Sequence, residues 1–215
     1  MKKVFIVEDH PIVRKGLRGL IESHGGYKVC GTMDRAEGAV CKIISSDADV
    51  VLVDISLPGQ DGLQLIDELH SRRACLPILV LSMYDSNVYA ERALRAGAMG
   101  YIKKQEATER VLEGIEAVLG GNVYINKDVE SRIMKTIVGG KCGYAGTPAE
   151  ALSDRELQVL REIGNGFSSR EIADKLYLSV KTIEKYRSRI KQKLHIDTAR
   201  GLLRYAIEWV NLEST

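Results

Sequence analysis

The sequence predicts an α/β protein: a doubly wound five-stranded parallel sheet with a second, all-α domain behind it. Three observations carry that prediction. The runs at residues 4–7, 50–53 and 78–81 are short, continuously apolar and rich in β-branched side chains, which is how strands buried on both faces read. Apolar stripes at helical spacing alternate with them. Beyond about residue 120 the strand-like runs stop and only helical spacing continues.

Taken in order, the first strand (Val4, Phe5, Ile6, Val7) leads to Pro11, suited to a helical first turn, and to the stripe Ile12, Val13, Leu17, Leu20 and Ile21. Val29 and its neighbours form the second strand, and Ala36, Ala39, Val40, Ile43 and Ile44 mark the next helix. The third strand is followed by a helix carrying Leu63, Leu65, Ile66 and Leu69. The fourth strand precedes a helix with Val88, Ala90, Ala93 and Leu94, closed by Gly97. A short fifth strand holds Tyr101 and Ile102, and a helix with Val111, Leu112, Ile115, Val118 and Leu119 completes the set. Five βα units wind right-handedly into one open sheet.

Gly120, Gly121 and Asn122 end this first domain, expected over residues 1–121. A linker over 122–148 contains a short helix around Val129, Ile133, Ile137 and Val138, then a glycine-rich stretch at 139–148. The second domain, 149–215, opens with two capping boxes, Ser153 with Glu156 and Ser168 with Glu171, separated by Gly164-Asn165-Gly166. A short helix over 168–175, a turn at Leu176-Tyr177-Leu178, and a longer helix capped by Ser179 and reaching about Leu194 form a helix-turn-helix. Ala199, Leu202, Leu203, Ala206 and Val210 mark a final helix.

Composition sets bounds on function. With 45% hydrophobic and 28% charged residues over 215 positions, the chain has a globular composition. Its longest apolar runs are about five residues, far below the roughly 20 of a membrane span, and Met1-Lys2-Lys3 leads straight into a strand rather than a signal segment. A cytoplasmic protein without membrane contact is expected. Cys30, Cys41, Cys75 and Cys142 lack CxxC spacing and nearby histidines, so they read as free thiols rather than zinc or redox centres. The formal net charge is only +2, but between residues 181 and 193 six cations face the single anion Glu184.

In an open α/β sheet, ligands bind beyond the carboxyl ends of the strands. Glu8, Asp9, Asp54 and Ser82 stand where apolar runs stop, and a lysine, Lys103 or Lys104, follows the fifth strand. Three carboxylates suit Mg²⁺, which takes oxygen ligands and retains waters. Asp54 is then a candidate nucleophile toward a phosphoryl group, with Ser82 and the lysine as donors to its oxygens. His10, beside the acids, reads as a first-turn helix residue rather than a ligand. A dehalogenase-like phosphatase would need a second acid two residues after the nucleophile, where this chain has Ser56.

Over residues 3 to about 120 the sequence resembles the receiver domain of bacterial two-component response regulators, a flavodoxin-like fold. The resemblance rests on Glu8-Asp9, Asp54, Leu57-Pro58-Gly59-Gln60-Asp61-Gly62, Ser82 and Tyr101-Ile102-Lys103-Lys104. It implies Asp54 as phosphoacceptor, and Mg²⁺ held by Glu8, Asp9, Asp54 and the backbone carbonyl of Ser56. It further implies Ser82 and Lys104 contacting the phosphoryl group, and Tyr101 as the aromatic whose rotamer reports it. Where many receivers have proline after the lysine this chain has Gln105, so a trans peptide is expected there. Bulk at Tyr84 leads to the expectation of slow autodephosphorylation.

The basic helix places Val180, Ile183, Arg187, Ile190 and Leu194 on the face toward the bundle. On another face, Lys181, Glu184, Lys185 and Ser188 could reach base edges, while Thr182, Arg189, Lys191 and Lys193 suit phosphates. Residues 149–211 resemble the LuxR-type helix-turn-helix of the NarL/FixJ response regulators. The carriers are Leu152-Ser153-Asp154-Arg155-Glu156, Val159-Leu160, Ser169-Arg170-Glu171-Ile172-Ala173 and Leu178-Ser179-Val180-Lys181-Thr182-Ile183-Glu184. By that resemblance the last helix supplies a dimer contact as well as packing in its own domain.

Together these readings imply a DNA-binding response regulator. A sensor histidine kinase phosphorylates Asp54 in the presence of Mg²⁺, and this switches homodimerisation and binding to double-stranded promoter DNA. It is not an enzyme beyond its own phosphotransfer and autodephosphorylation. The alternative is a phosphorylation-independent DNA-binding protein that uses the receiver as a dimerisation module.

Overall fold

The computed structural model describes residues 1–58, 61–83, 87–138 and 148–213. Two compact units divide the chain, Met1–Met134 and Lys135–Thr215.

The first unit alternates strands and helices: β1 (Lys2–Val7), α1 (Pro11–Ser23), β2 (Tyr27–Met33), α2 (Ala39–Ser45), β3 (Val50–Asp54), α3 (Gly62–Arg72), β4 (Ile78–Ser82), α4 (Asn87–Arg95), β5 (Gly100–Lys103) and α5 (Ala107–Leu119). All strands pair in parallel in the order β2-β1-β3-β4-β5. The order reverses direction between β1 and β3, so a crevice opens beyond their carboxyl ends. Every residue of β3 and β4 is buried, as strands covered on both faces require. On one face Val4, Ile6, Leu52, Leu79, Leu81 and Ile102 pack with Leu17 and Ile21 of α1 and with Val111, Ile115 and Val118 of α5.

Gly62 is required at the start of α3. A Cβ there would lie 2.3 Å from the Asp54 carbonyl oxygen and 2.7 Å from Ile55 Cα, so only glycine lets the helix begin directly against the end of β3. Asp61 caps that helix, its Oδ1 accepting the Leu63 N–H at 3.1 Å.

Three expectations shift. Ile12 is 86% exposed, because Val13, Leu17, Leu20 and Ile21 already fill the core-facing stripe of α1 and Ile12 falls outside it. Ala36 is buried but not helical: Gly38 adopts φ +75° and α2 begins only at Ala39. The chain does not leave the sheet after Gly121. Tyr101 N–H donates to Tyr124 O at 2.8 Å and Tyr124 N–H to Met99 O at 2.9 Å, bridging Gly100 and Tyr124 in parallel at the edge of β5. The Tyr124 hydroxyl donates to Glu113 Oε2 at 2.7 Å and accepts from Arg110 Nε at 3.1 Å, fixing the segment to α5.

The helix expected around Val129 is α6 (Lys127–Val138), a 12-residue element. The glycine-rich stretch expected to follow it lies at 139–147 outside the described residues, as do Gly59, Gln60, Tyr84 and Cys142. Among the described residues, Cys30, Cys41 and Cys75 are free thiols, no peptide bond is cis, and no helix is long and apolar enough to cross a membrane. The bond between Lys104 and Gln105 is accordingly trans, as expected.

The second unit consists of α7 (Asp154–Gly164), α8 (Ser169–Leu176), α9 (Val180–Lys193) and α10 (Ala199–Glu213). Both anticipated capping boxes form. Glu156 N–H and Glu171 N–H bind the Ser153 and Ser168 hydroxyls, and the two glutamates return bonds to the serine N–H groups. Helix α7 is the buried centre, with Leu157, Val159, Leu160 and Ile163 out of solvent. Gly164 lets α10 approach its end closely, since a Cβ would lie 2.4 Å from Ala206 O. In α9, Ile183 and Ile190 are fully buried, but Val180 is 44% exposed. As the first helical residue after the Ser179 cap it precedes the turn that meets α7, and the apolar face begins at Ile183.

Candidate functional site

Strand register builds the pocket. Val7 pairs with Val53, so Glu8 and Asp54 lie side by side one residue further along. Asp54 pairs with Leu81, and Ser82 pairs with Lys103, which brings Ser82 and Lys104 to the same end of the sheet. Residues up to 96 positions apart thus converge at the carboxyl edge.

Lys104 is the centre of charge. Its Nζ lies 2.7 Å from Asp54 Oδ2 and donates to Glu8 Oε1 at 2.9 Å. Glu8 Oε2 is 2.8 Å away. The side chains of Asp54, Glu8 and Lys104 are 0%, 2% and 4% exposed. Burial alone would push the Lys104 ammonium down, but the charges of Asp54 and Glu8 outweigh it and hold the group above its ordinary value. Burial dominates at Asp54 and raises its carboxyl to about 6, against the pull of Lys104 and a backbone bond from Ser56 N–H to Oδ1 at 3.0 Å. Asp54 is therefore a carboxylate at neutral pH, and an under-solvated one.

The choice between the two lysines is a matter of backbone. A 3₁₀ turn, Lys104–Glu106, begins directly after β5 and directs Lys104 into the pocket. Lys103 instead lies 4.0 Å from Glu106 and stays partly exposed. Ser82 is fully buried at the end of β4, and Tyr101 is 8% exposed in β5.

Asp9 is less buried, at 17% exposure, with His10 Nδ1 2.6 Å from its Oδ1 and 3.2 Å from Glu8 Oε1. Glu8, Asp9, His10 and Asp54 each offer a ligand atom within 4.8 Å of the others. Asp9 Oδ1 is buried without an aligned hydrogen bond. Three carboxylates gathered in this way, two of them (Glu8 and Asp54) sharing the Lys104 ammonium, form an oxygen-rich donor set that fits a hard divalent cation such as Mg²⁺.

Arg14 was not anticipated. Its guanidinium donates to the backbone carbonyls of Glu8 and Asp9 and so fixes the loop that presents both acids. The only sequence signal is its position one turn into α1, on the side of the acids. Tyr84 and the Gly59-Gln60 part of the loop after β3 fall outside the described residues.

On α9, Lys181, Glu184, Lys185, Ser188 and Arg189 are exposed, and Thr182 and Lys191 are half-buried. Thr182 belongs partly to the helix cap: its N–H donates to Ser179 Oγ at 3.1 Å, and the two hydroxyls are 2.8 Å apart. Lys193, expected to serve a phosphate, is engaged elsewhere. Its ammonium donates to Glu156 Oε2 at 2.7 Å and to Ala151 O at 3.2 Å, tying the end of α9 to the start of α7. Burial would raise the Glu156 carboxyl, but Lys193 and the Ser153 bonds bring it below the ordinary carboxylate value. On α10, Leu202, Ala206 and Trp209 are buried, while Leu203 and Ile207 are each 41% exposed.

Comparison with known proteins places both regions. A family model of the response regulator receiver domain matches residues 4–116, and one of the luxR family of bacterial regulatory proteins matches 150–206. The chain is 32% identical to the oxygen regulatory protein NreC of Staphylococcus carnosus, over 96% of this chain and 97% of the relative. It is 34% identical to the response regulator UvrY of Escherichia coli K12, over 91% and 89%. RcsB of Salmonella enterica serovar Typhimurium, solved bound to promoter P1flhDC in the presence of the phosphomimetic BeF3-, aligns with a TM-score of 0.62 and 29% identity. That alignment covers 95% of this chain and 98% of RcsB.

Proposed function

The chain belongs to the NarL/FixJ response regulators, which join a receiver domain to a LuxR-type helix-turn-helix, and from that premise we propose that phosphorylation of Asp54 switches its binding to promoter DNA. The observation that carries the proposal is Asp54 itself, a buried carboxylate at a strand end, held against Lys104 at 2.7 Å and beside Glu8. A carboxylate so placed is oriented for attack and under-solvated, so it gains from an electrophile that spreads its charge.

The donor is a sensor histidine kinase bearing a phosphohistidine. An Asp54 oxygen forms a bond to phosphorus as the phosphorus–nitrogen bond breaks and the imidazole leaves. Mg²⁺ would be held by Glu8, Asp9, Asp54 and the Ser56 carbonyl, and when bound it offsets the repulsion between carboxylate and phosphoryl oxygens. Lys104 and the Ser82 hydroxyl then donate to those oxygens. The phosphoryl group stays on Asp54 until water releases it as inorganic phosphate, so the activity is confined to the protein's own phosphotransfer and autodephosphorylation.

Asp54 exchanges its single carboxylate charge for about −1.5 to −2 carried further out on the phosphoryl oxygens, and this changes what β5 must accommodate. Lys104 is drawn from Glu8 toward the phosphoryl group, Tyr101 changes rotamer, and the population shifts toward a state that dimerises and binds DNA through α9. Full conversion would need about 5.5 kcal/mol of differential stabilisation, so a partial shift amplified by paired binding to DNA suffices. In this reading residues 1–121 form the receiver, 122–148 the linker and 149–215 the DNA-binding domain, and the protein works in the cytoplasm. Helix α9 enters the major groove, with Lys181, Glu184, Lys185 and Ser188 toward bases and Thr182, Arg189 and Lys191 toward phosphates. The exposed Leu203 and Ile207 of α10 supply the contact between two copies. That RcsB was solved bound to promoter DNA in the presence of the phosphomimetic BeF3- supports a link between the phosphorylated receiver and DNA binding.

The test is phosphotransfer from a small phosphodonor with Mg²⁺, followed by intact mass. One added phosphoryl group on the wild type and none on Asp54→Ala is expected; equal labelling of both would place the phosphoacceptor elsewhere.

A further inference from the structure

We propose that Glu184 sets base specificity by accepting a hydrogen bond from the exocyclic amino group of a cytosine in the major groove. The inference rests on the reading of α9 as the groove helix and adds to it the identity of one base. Glu184 is the single anion among six cations between residues 181 and 193, and its side chain is 58% exposed in the middle of the stripe Lys181, Glu184, Lys185, Ser188. A carboxylate there is repelled by phosphates, so it weakens sequence-independent binding rather than supporting it.

Its geometry is held from two elements. The Ser169 hydroxyl at the start of α8 donates to Glu184 Oε1 at 2.5 Å, and Arg187 Nε lies 3.9 Å from the same oxygen. Both contacts fall on Oε1, which leaves Oε2 for a base. An ionised carboxylate only accepts. In the major groove the donors are cytosine N4 and adenine N6, but adenine sets its N7 acceptor beside N6, which repels a carboxylate, whereas cytosine presents its donor alone. An amide, with a donor and an acceptor, matches adenine instead. The two chemistries therefore call for different bases from the same position.

Binding-site selection from a random duplex pool, using the phosphorylated full-length protein, tests this directly. Wild type is expected to select a motif with cytosine at one position of each half-site, preferred about tenfold or more. Glu184→Gln should move that position alone toward adenine, and Ser169→Ala should keep cytosine with a preference several-fold weaker. Unchanged Mg²⁺-dependent phosphorylation and thermal unfolding verify that each variant is folded. Identical motifs for wild type and Glu184→Gln would overturn the inference and leave Glu184 as a brace between α8 and α9. A wild type that selects no motif would instead overturn the reading of α9 on which the inference stands.

Discussion

The pocket at the end of the sheet and the surface of α9 handle charge in opposite ways. In the pocket, Asp54, Glu8 and Lys104 are almost wholly withdrawn from water, with the ammonium within 3 Å of both acids. On α9, Lys181, Lys185 and Arg189 stand in solvent, and Lys193, held on Glu156, is the cation that ties the helix to α7. A buried ion cluster is sensitive to a single added charge, because each group leans on the others. An exposed array contributes by number and tolerates the loss of one member. The first suits a trigger and the second a grip on a polyanion.

Removing the ammonium should therefore cost far more in the pocket than removing any one cation from α9. Lys104→Met leaves two buried carboxylates without their counter-ion, and about 4 kcal/mol of stability should be lost at pH 7 in urea unfolding. A loss below 1 kcal/mol would mean that water compensates the acids and that the pocket is not a tight cluster. The loss should shrink at pH 5, where Asp54 takes up a proton.

Asp54→Asn should act in the other direction, stabilising by up to about 3 kcal/mol at pH 7, since a rise from 3.8 to about 6 is a shift of about two units. The folded value lies above the unfolded one. The stability contributed by protonated Asp54 is thus fully present below about pH 4 and lost as pH rises through about 6. The advantage of Asp54→Asn should fade over that window on acidification. A constant advantage from pH 4 to 7 would contradict the assignment.

On the DNA face, Arg189→Ala should weaken binding by a similar factor on every sequence and reduce the salt slope of log K by about 1. A change confined to one base position would reassign Arg189 to base readout. The smallest effect belongs to Lys103→Ala, 4.0 Å from a half-buried Glu106: stability within about 0.5 kcal/mol of wild type, and unaltered phosphotransfer. A loss of phosphotransfer comparable to that of Lys104 variants would return Lys103 to the pocket.

The two regions were also unequally legible in sequence. Strand ends announce themselves, because an apolar run that meets Glu8, Asp54 or Ser82 marks both the strand and its functional end. The capping boxes at Ser153 and Ser168 are local in the chain and formed as written. What stayed hidden depends on tertiary geometry. Spacing along one strand cannot choose between adjacent lysines, and the 3₁₀ turn after β5 made the choice. Arg14 acts on backbone carbonyls, which carry no sequence signature. The Tyr124 bridge uses main-chain atoms at a sheet edge, where glycines nearby had suggested an exit. Lys193 looked like one cation among six, until a partner 37 residues away claimed it.

The central claim is that the state of the buried pocket governs the exposed face. The measurement that tests it most directly is promoter-DNA affinity of the full chain, with and without a small phosphodonor and Mg²⁺, for wild type and Asp54→Ala at one salt concentration. The account predicts tenfold or greater tightening for wild type on phosphorylation, a differential of about 1.4 kcal/mol or more, and none for Asp54→Ala. Equal affinity in all four conditions would contradict it, and would describe a DNA-binding protein whose receiver serves association alone.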